Sequence, residues 1–137
     1  MPLPSHVRTV FTVCFWAYGL LLMIATHAPA TDVQFLVQAA DFSRLDADKV
    51  LHLAAYGVLG LLAALAYGGR WQTVSTAAVT LFALLATWGT VDELTQPLFG
   101  RFADAGDWAF DVIGSAIGLA AGLAVARWLA LRLRSAT

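Results

Sequence analysis

Apolar residues gather into four long runs, at about 7–26, 50–67, 73–91 and 108–131. A helix needs about 20 mostly apolar residues to cross the hydrocarbon core of a bilayer, and each run comes close to that length. Lipid offers the backbone no hydrogen-bond partner, so each run is predicted to be helical. Between the runs lie Pro29 and an acidic stretch, then Gly68-Gly69-Arg70, then a segment holding Asp92, Pro97, Gly100 and Asp107. The expected fold is all-α, an integral membrane four-helix bundle forming one domain over residues 1–137.

Over 31–45 a shorter pattern appears. Val33, Leu36, Val37 and Ala40 follow helical spacing, with Gln34, Gln38 and Asp41 elsewhere on the wheel. It predicts a short helix lying on the outer membrane surface. The first run has a second reading, because Arg8, an apolar core and Ala28-Pro29-Ala30 also resemble a signal peptide with its cleavage site. Removal would leave three spans, but the run is long enough to be a retained one.

Composition sharpens this picture. Of 137 residues, 60% are hydrophobic and 12% charged, against about 25% charged in a soluble domain. Too few charges remain to cover a water-facing surface, and a net charge of -1 offers nothing to nucleic acid. The one cysteine, Cys14, lies inside the first run and has no intramolecular partner.

Charge is distributed unevenly. With four spans, the side holding both termini and the Gly68–Gly69 turn carries Arg8, Arg70, Arg127, Arg132 and Arg134 and no acid. The opposite side receives Arg44, Lys49, Arg101 and all nine acids. Lys and Arg near helix ends favour the cytoplasm. Both termini are therefore expected in the cytoplasm of a multi-pass protein of the inner or plasma membrane, with the acidic side facing outward.

The candidate chemistry lies on that outer side. In the second run Asp48, His52 and Tyr56 recur every four residues, which stacks them on one helix face. A plain structural account would make Asp48 a cap, His52 a donor to a backbone carbonyl and Tyr56 part of the aromatic belt. At the end of the third run stand Asp92, Glu93 and Gln96. Carboxylates at a helix C-terminus oppose the macrodipole, so a compensating group is expected: Arg101, Lys49, a metal ion or a proton. At the start of the fourth run Asp107 suits the dipole, whereas Asp111 lies a turn further in, where an ionisable group marks a functional site by default. Beyond it Gly114, Gly118 and Gly122 form a face of small residues that admits a close helix neighbour, which is expected within the chain rather than in a second copy.

The ordered pattern Asp48-Lys49-x-x-His52-x-x-x-Tyr56, Asp92-Glu93-x-x-Gln96-x-x-x-x-Arg101, then Asp107, Gly114 and Gly118 resembles the VanZ-like family. That family is named for an accessory protein of glycopeptide resistance associated with teicoplanin. The likeness covers about 48–122. Asp111 stands where the family often has Asn, which adds a negative charge. The resemblance implies a small bacterial membrane protein acting at the cell envelope, and it supplies no reaction.

Together these readings lead to an outward polar site that binds or processes a lipid headgroup, a lipid-linked wall intermediate or a glycopeptide antibiotic. His52, Asp92, Glu93 and Asp107 are the groups suited to acid–base work, and Asp48, Tyr56, Gln96, Arg101 and Asp111 to binding. The alternatives are a non-enzymatic antibiotic- or lipid-binding protein and a subunit of a proton- or cation-coupled transporter. No cofactor motif is visible, metal binding is left open, and the expected partners are membrane lipids, with a lipid-linked envelope substrate and a homo-oligomer of the chain as the further candidates.

Overall fold

The computed structural model describes residues 3–28, 44–70 and 73–134. Within them the chain forms α1 (Ser5–Thr26), α2 (Arg44–Tyr67), α3 (Val74–Thr95) and α4 (Ala105–Arg134). Single 3-10 turns, Gly68–Arg70 and Gln96–Phe99, follow α2 and α3. The surface helix expected over 31–45 lies outside the described residues, except for its last two positions, which begin α2.

All four helices are long and apolar enough to cross a membrane, the make-up of a multi-pass membrane protein. Their outer faces carry large apolar side chains, among them Val13, Leu20, Ile24, Val79, Leu84, Ile117 and Leu131. In water such faces would be a liability, and in lipid they are the solvated surface. Thr9, Thr12, Thr87 and Thr90 donate their hydroxyls to carbonyls one turn back, so none presents a bare polar group to the hydrocarbon.

Helix α2 is the most enclosed span and contacts the other three. Its tightest neighbour is α4, for a steric reason. A Cβ added at Gly114 would collide with the Leu53 carbonyl, and one at Gly118 with the Gly57 carbonyl. At Gly122 it would meet the Ala64 Cβ at 2.6 Å. The glycine face therefore closes on α2 of the same chain.

Packing also fixes the order of the ends. Leu3, Leu65 and Ala130 cluster, so the start of α1, the end of α2 and the end of α4 share one end of the bundle. Phe15, Leu22, Tyr56, Leu59, Ala63 and Leu85 form the central core, to which Tyr18 adds a 3.0 Å hydrogen bond onto the Ala55 carbonyl. The end of α1, the first half of α2, the end of α3 and the start of α4 meet at the opposite end, where the polar residues collect.

Candidate functional site

The helices run further than the apolar runs at this end, and that repositions the polar residues. Because α2 begins at Arg44, Asp48 sits about a turn inside and does not cap the helix. Since α3 continues to Thr95, Asp92 and Glu93 belong to its last turns and point into the bundle. With α4 starting at Ala105, Asp107 occupies the first turn and Asp111 lies nearly two turns in. His52, Tyr56, Asp92, Glu93, Gln96, Asp107 and Asp111 are all buried.

Asp92 is held by neutral donors. The Tyr56 hydroxyl donates to Oδ2 at 2.8 Å and the Thr26 hydroxyl to Oδ1 at 2.7 Å. His27 Nδ1 lies 3.5 Å from the same Oδ1, while donating to the Met23 carbonyl at 2.8 Å. Its Nε2 meets the Thr95 hydroxyl at 2.8 Å. Hydroxyls aimed at a carboxylate supply charge-assisted hydrogen bonds, so the dipole conflict at the end of α3 is relieved by α1 and α2 rather than by a full opposing charge alone. Thr26 and His27 were absent from the residues singled out by sequence. Their only signal is position, two polar groups at the tip of an apolar run on the acidic side.

Glu93 is oriented by its own helix and the following loop. The Gln96 amide donates to Oε1 at 3.0 Å, and the Asp104 backbone N–H donates to Oε2 at 2.9 Å. Gly100, at φ 76°, makes the left-handed turn that lets the loop fold back.

His52 stands between two carboxylates of α4. Its Nδ1 is 2.8 Å from Asp111 Oδ1, and its Nε2 is 3.9 Å from Asp107 Oδ2. The plain account of His52 as a donor to a backbone carbonyl gives way to this carboxylate contact. Lys49 approaches from the rim, with Nζ 3.8 Å from Asp107 Oδ1 and 4.0 Å from Asp104 Oδ2. The cluster thus grades from Asp111, 1% exposed, through half-buried Asp48 and Lys49 to the exposed Asp104.

Two carboxylate oxygens in this buried zone, Asp107 Oδ1 and Asp111 Oδ2, have no hydrogen-bond partner among the described residues, and neither has the Ser115 hydroxyl. Two overlapping groups have donor atoms within 4.8 Å of one another: Asp48, His52 and Asp107, and His52, Glu93 and Asp111. Arg101 differs from the rest. It is half-buried on the loop, its backbone N–H bonds the Gln96 carbonyl, and its side chain makes no ion pair within 4.0 Å among the described residues.

Seven of the nine residues singled out by sequence therefore lie buried at one end, drawn from α2, α3, the 3-10 turn after α3 and α4, with Asp48 and Arg101 at the margin. Such an arrangement can exchange protons through His52 and the carboxylates, or hold a cation. Searches for related proteins found no match to the chain among protein-family models, curated proteins or solved structures.

Proposed function

We propose that this chain is a VanZ-like protein of the bacterial cell envelope whose polar site binds or processes the headgroup of a lipid or a lipid-linked wall intermediate. The observation that carries the reading is His52 buried between Asp107 and Asp111 with Glu93 beside it. Ionisable groups at membrane depth are costly and persist where they serve a pathway or a substrate. In this reading the site faces the outer side of the inner or plasma membrane, and both termini are cytoplasmic, as the distribution of Arg and Lys favours.

A lipid substrate suits the surroundings of the site. Leu94, Leu98, Phe99, Phe102 and Trp108 are exposed around it, where they would sit among headgroups and upper acyl chains. Arg101, which makes no ion pair with an acid among the described residues, is the group for an anionic headgroup, which a guanidinium grips with two parallel hydrogen bonds. His52 relays protons between Asp111 and whatever lies beside Asp107.

The test is to purify the protein in nanodiscs, add extracted envelope lipids and follow bound and released species by mass spectrometry. Headgroup release that disappears in His52→Ala and Asp107→Asn supports an enzyme. Selective lipid or glycopeptide retention without turnover supports a binding protein. Equal lipid profiles for the native protein and both variants would discard the reading.

A further inference from the structure

Glu93 and Asp111 face each other across the α3–α4 contact with His52 alongside, and the described residues give this trio no Lys or Arg. Lys49, the nearby ammonium, is engaged with Asp104 and Asp107 on the other side of His52. A Cβ built on Gly89 would come within 3.5 Å of Asp111 Oδ2, so this oxygen is turned toward α3, one turn before Glu93. It is also buried and has no hydrogen-bond partner among the described residues. An unsatisfied carboxylate oxygen in such a place costs free energy that a bound ion, a proton or an ordered water would recover.

We propose that His52 Nδ1, Glu93 and Asp111 form a centre for a divalent transition metal of the Zn²⁺ or Mn²⁺ class. The donor atoms of the three residues lie within 4.8 Å of one another and come from three helices. Nδ1 and Asp111 Oδ1 are 2.8 Å apart, a hydrogen-bond spacing, and an ion bonded to each at about 2.1 Å would replace the shared proton and part them to about 3.0–3.4 Å, a shift of a few tenths of an ångström. One imidazole with two carboxylates suits Zn²⁺ or Mn²⁺ better than the all-oxygen preference of Ca²⁺ and Mg²⁺.

The outer layer of contacts fits the same centre. Gln96 and the Asp104 N–H orient Glu93, and Asp107 Oδ2 stands 3.9 Å from His52 Nε2, on the side where a carboxylate that closed to hydrogen-bond distance would fix a ligating histidine. The alternative trio of Asp48, His52 and Asp107 is less suited, because Lys49 already balances Asp107. Three protein ligands leave positions open for water or for an oxygen of the substrate. The inference rests on the headgroup reading for what would enter those positions, and not for the ion itself.

The experiment uses the full chain purified in detergent, freed of metal by chelator and titrated with Zn²⁺, Mn²⁺, Mg²⁺ and Co²⁺. Metal content, thermal midpoint and the visible absorption of Co²⁺ are the readouts. The expected result is about one ion per chain, a rise in midpoint with Zn²⁺ or Mn²⁺ exceeding that with Mg²⁺, and Co²⁺ bands in the native protein. Asp111→Asn and Glu93→Gln should each weaken binding by at least a hundredfold. Gln96→Ala, which removes only an orienting contact, should weaken it by roughly tenfold to a hundredfold. Cys14→Ser should leave it unchanged, since that thiol lies elsewhere on α1.

Absence of both a midpoint shift and a Co²⁺ spectrum in the native protein would overturn the centre without touching the headgroup reading, which lipid retention by the metal-free protein tests separately. Binding kept in Asp111→Asn but lost in Asp107→Asn would also overturn it, by moving the ion to the other face of His52. Metal binding with no lipid selectivity would uphold the centre and sink the headgroup reading instead.

Discussion

Tyr56 and Asp92, on neighbouring helices, are joined by a 2.8 Å hydrogen bond with both residues completely withdrawn from the surface. Thr26 holds the other oxygen of the same carboxylate, so one acid ties α1, α2 and α3 together. Tyr56→Phe keeps the ring and removes only the donor. It should lower stability by about 1–3 kcal/mol, the cost of leaving a buried acceptor unsatisfied. Thr26→Val should act in the same direction, and Asp92→Asn should blunt both losses because the acceptor is changed with them. Thermal unfolding in detergent measures this, and an unchanged midpoint in Tyr56→Phe would show that the bond carries no net stability.

Two glycine substitutions separate close approach from mere smallness. At Gly118 an added methyl meets the backbone carbonyl of Gly57, which cannot swing aside, whereas at Gly57 it finds only the Gly114 carbonyl at 3.6 Å, an ordinary contact. Gly118→Ala should therefore force α2 and α4 apart, costing about 1–3 kcal/mol or more. Gly57→Ala should stay close to the native midpoint. Similar midpoints for the two would contradict the packing.

Sidedness is checked by thiol accessibility in a Cys14→Ser background, needed because Cys14 is exposed on α1. A cysteine replacing Phe102, 92% exposed on the loop before α4, should react with an impermeant reagent added to intact cells. One replacing Ser135 should react only after the membrane is opened. The reverse pattern would place the acidic end in the cytoplasm.

Much of the fold was legible because it depends on length and period. The apolar runs at 7–26 and 73–91 correspond to helices Ser5–Thr26 and Val74–Thr95, and the spacing of Gly114, Gly118 and Gly122 marked the face that meets α2. Helix ends were less legible. Hydropathy stops at the first charge, yet Asp92 and Glu93 continue α3 because hydroxyls, an amide and a backbone N–H receive their oxygens. Those partners come from distant parts of the chain, and Thr26 and His27 have no periodic signal of their own. The local reading of His52 failed likewise, since its carboxylate partner lies 59 positions along the chain. Arg101 and Lys49 were both candidates to neutralise the acids at the end of α3; among the described residues Lys49 instead makes its ion pairs with Asp104 and Asp107, and the Arg101 side chain makes none.

The last prediction is that His52, Glu93, Asp107 and Asp111 act as one unit. His52 contacts Asp111 at 2.8 Å and faces Asp107 at 3.9 Å, and its ligating atoms lie within 4.8 Å of those of Glu93. Groups that share a histidine cannot be removed independently, because the first loss leaves the others without their partner. In lipid binding or turnover per molecule of folded protein, His52→Ala and Asp107→Asn should each cause nearly the full loss. The double variant should add little, as in other sites whose members cooperate. Arg101→Ala provides the contrast: its side chain pairs with no acid among the described residues, so it should weaken an anionic ligand while leaving the thermal midpoint within about 0.5 kcal/mol of native, as for surface substitutions. Losses for His52→Ala and Asp107→Asn that are mild, sum in the double variant and follow protein abundance would mean that these residues stabilise the bundle end separately and share no chemistry.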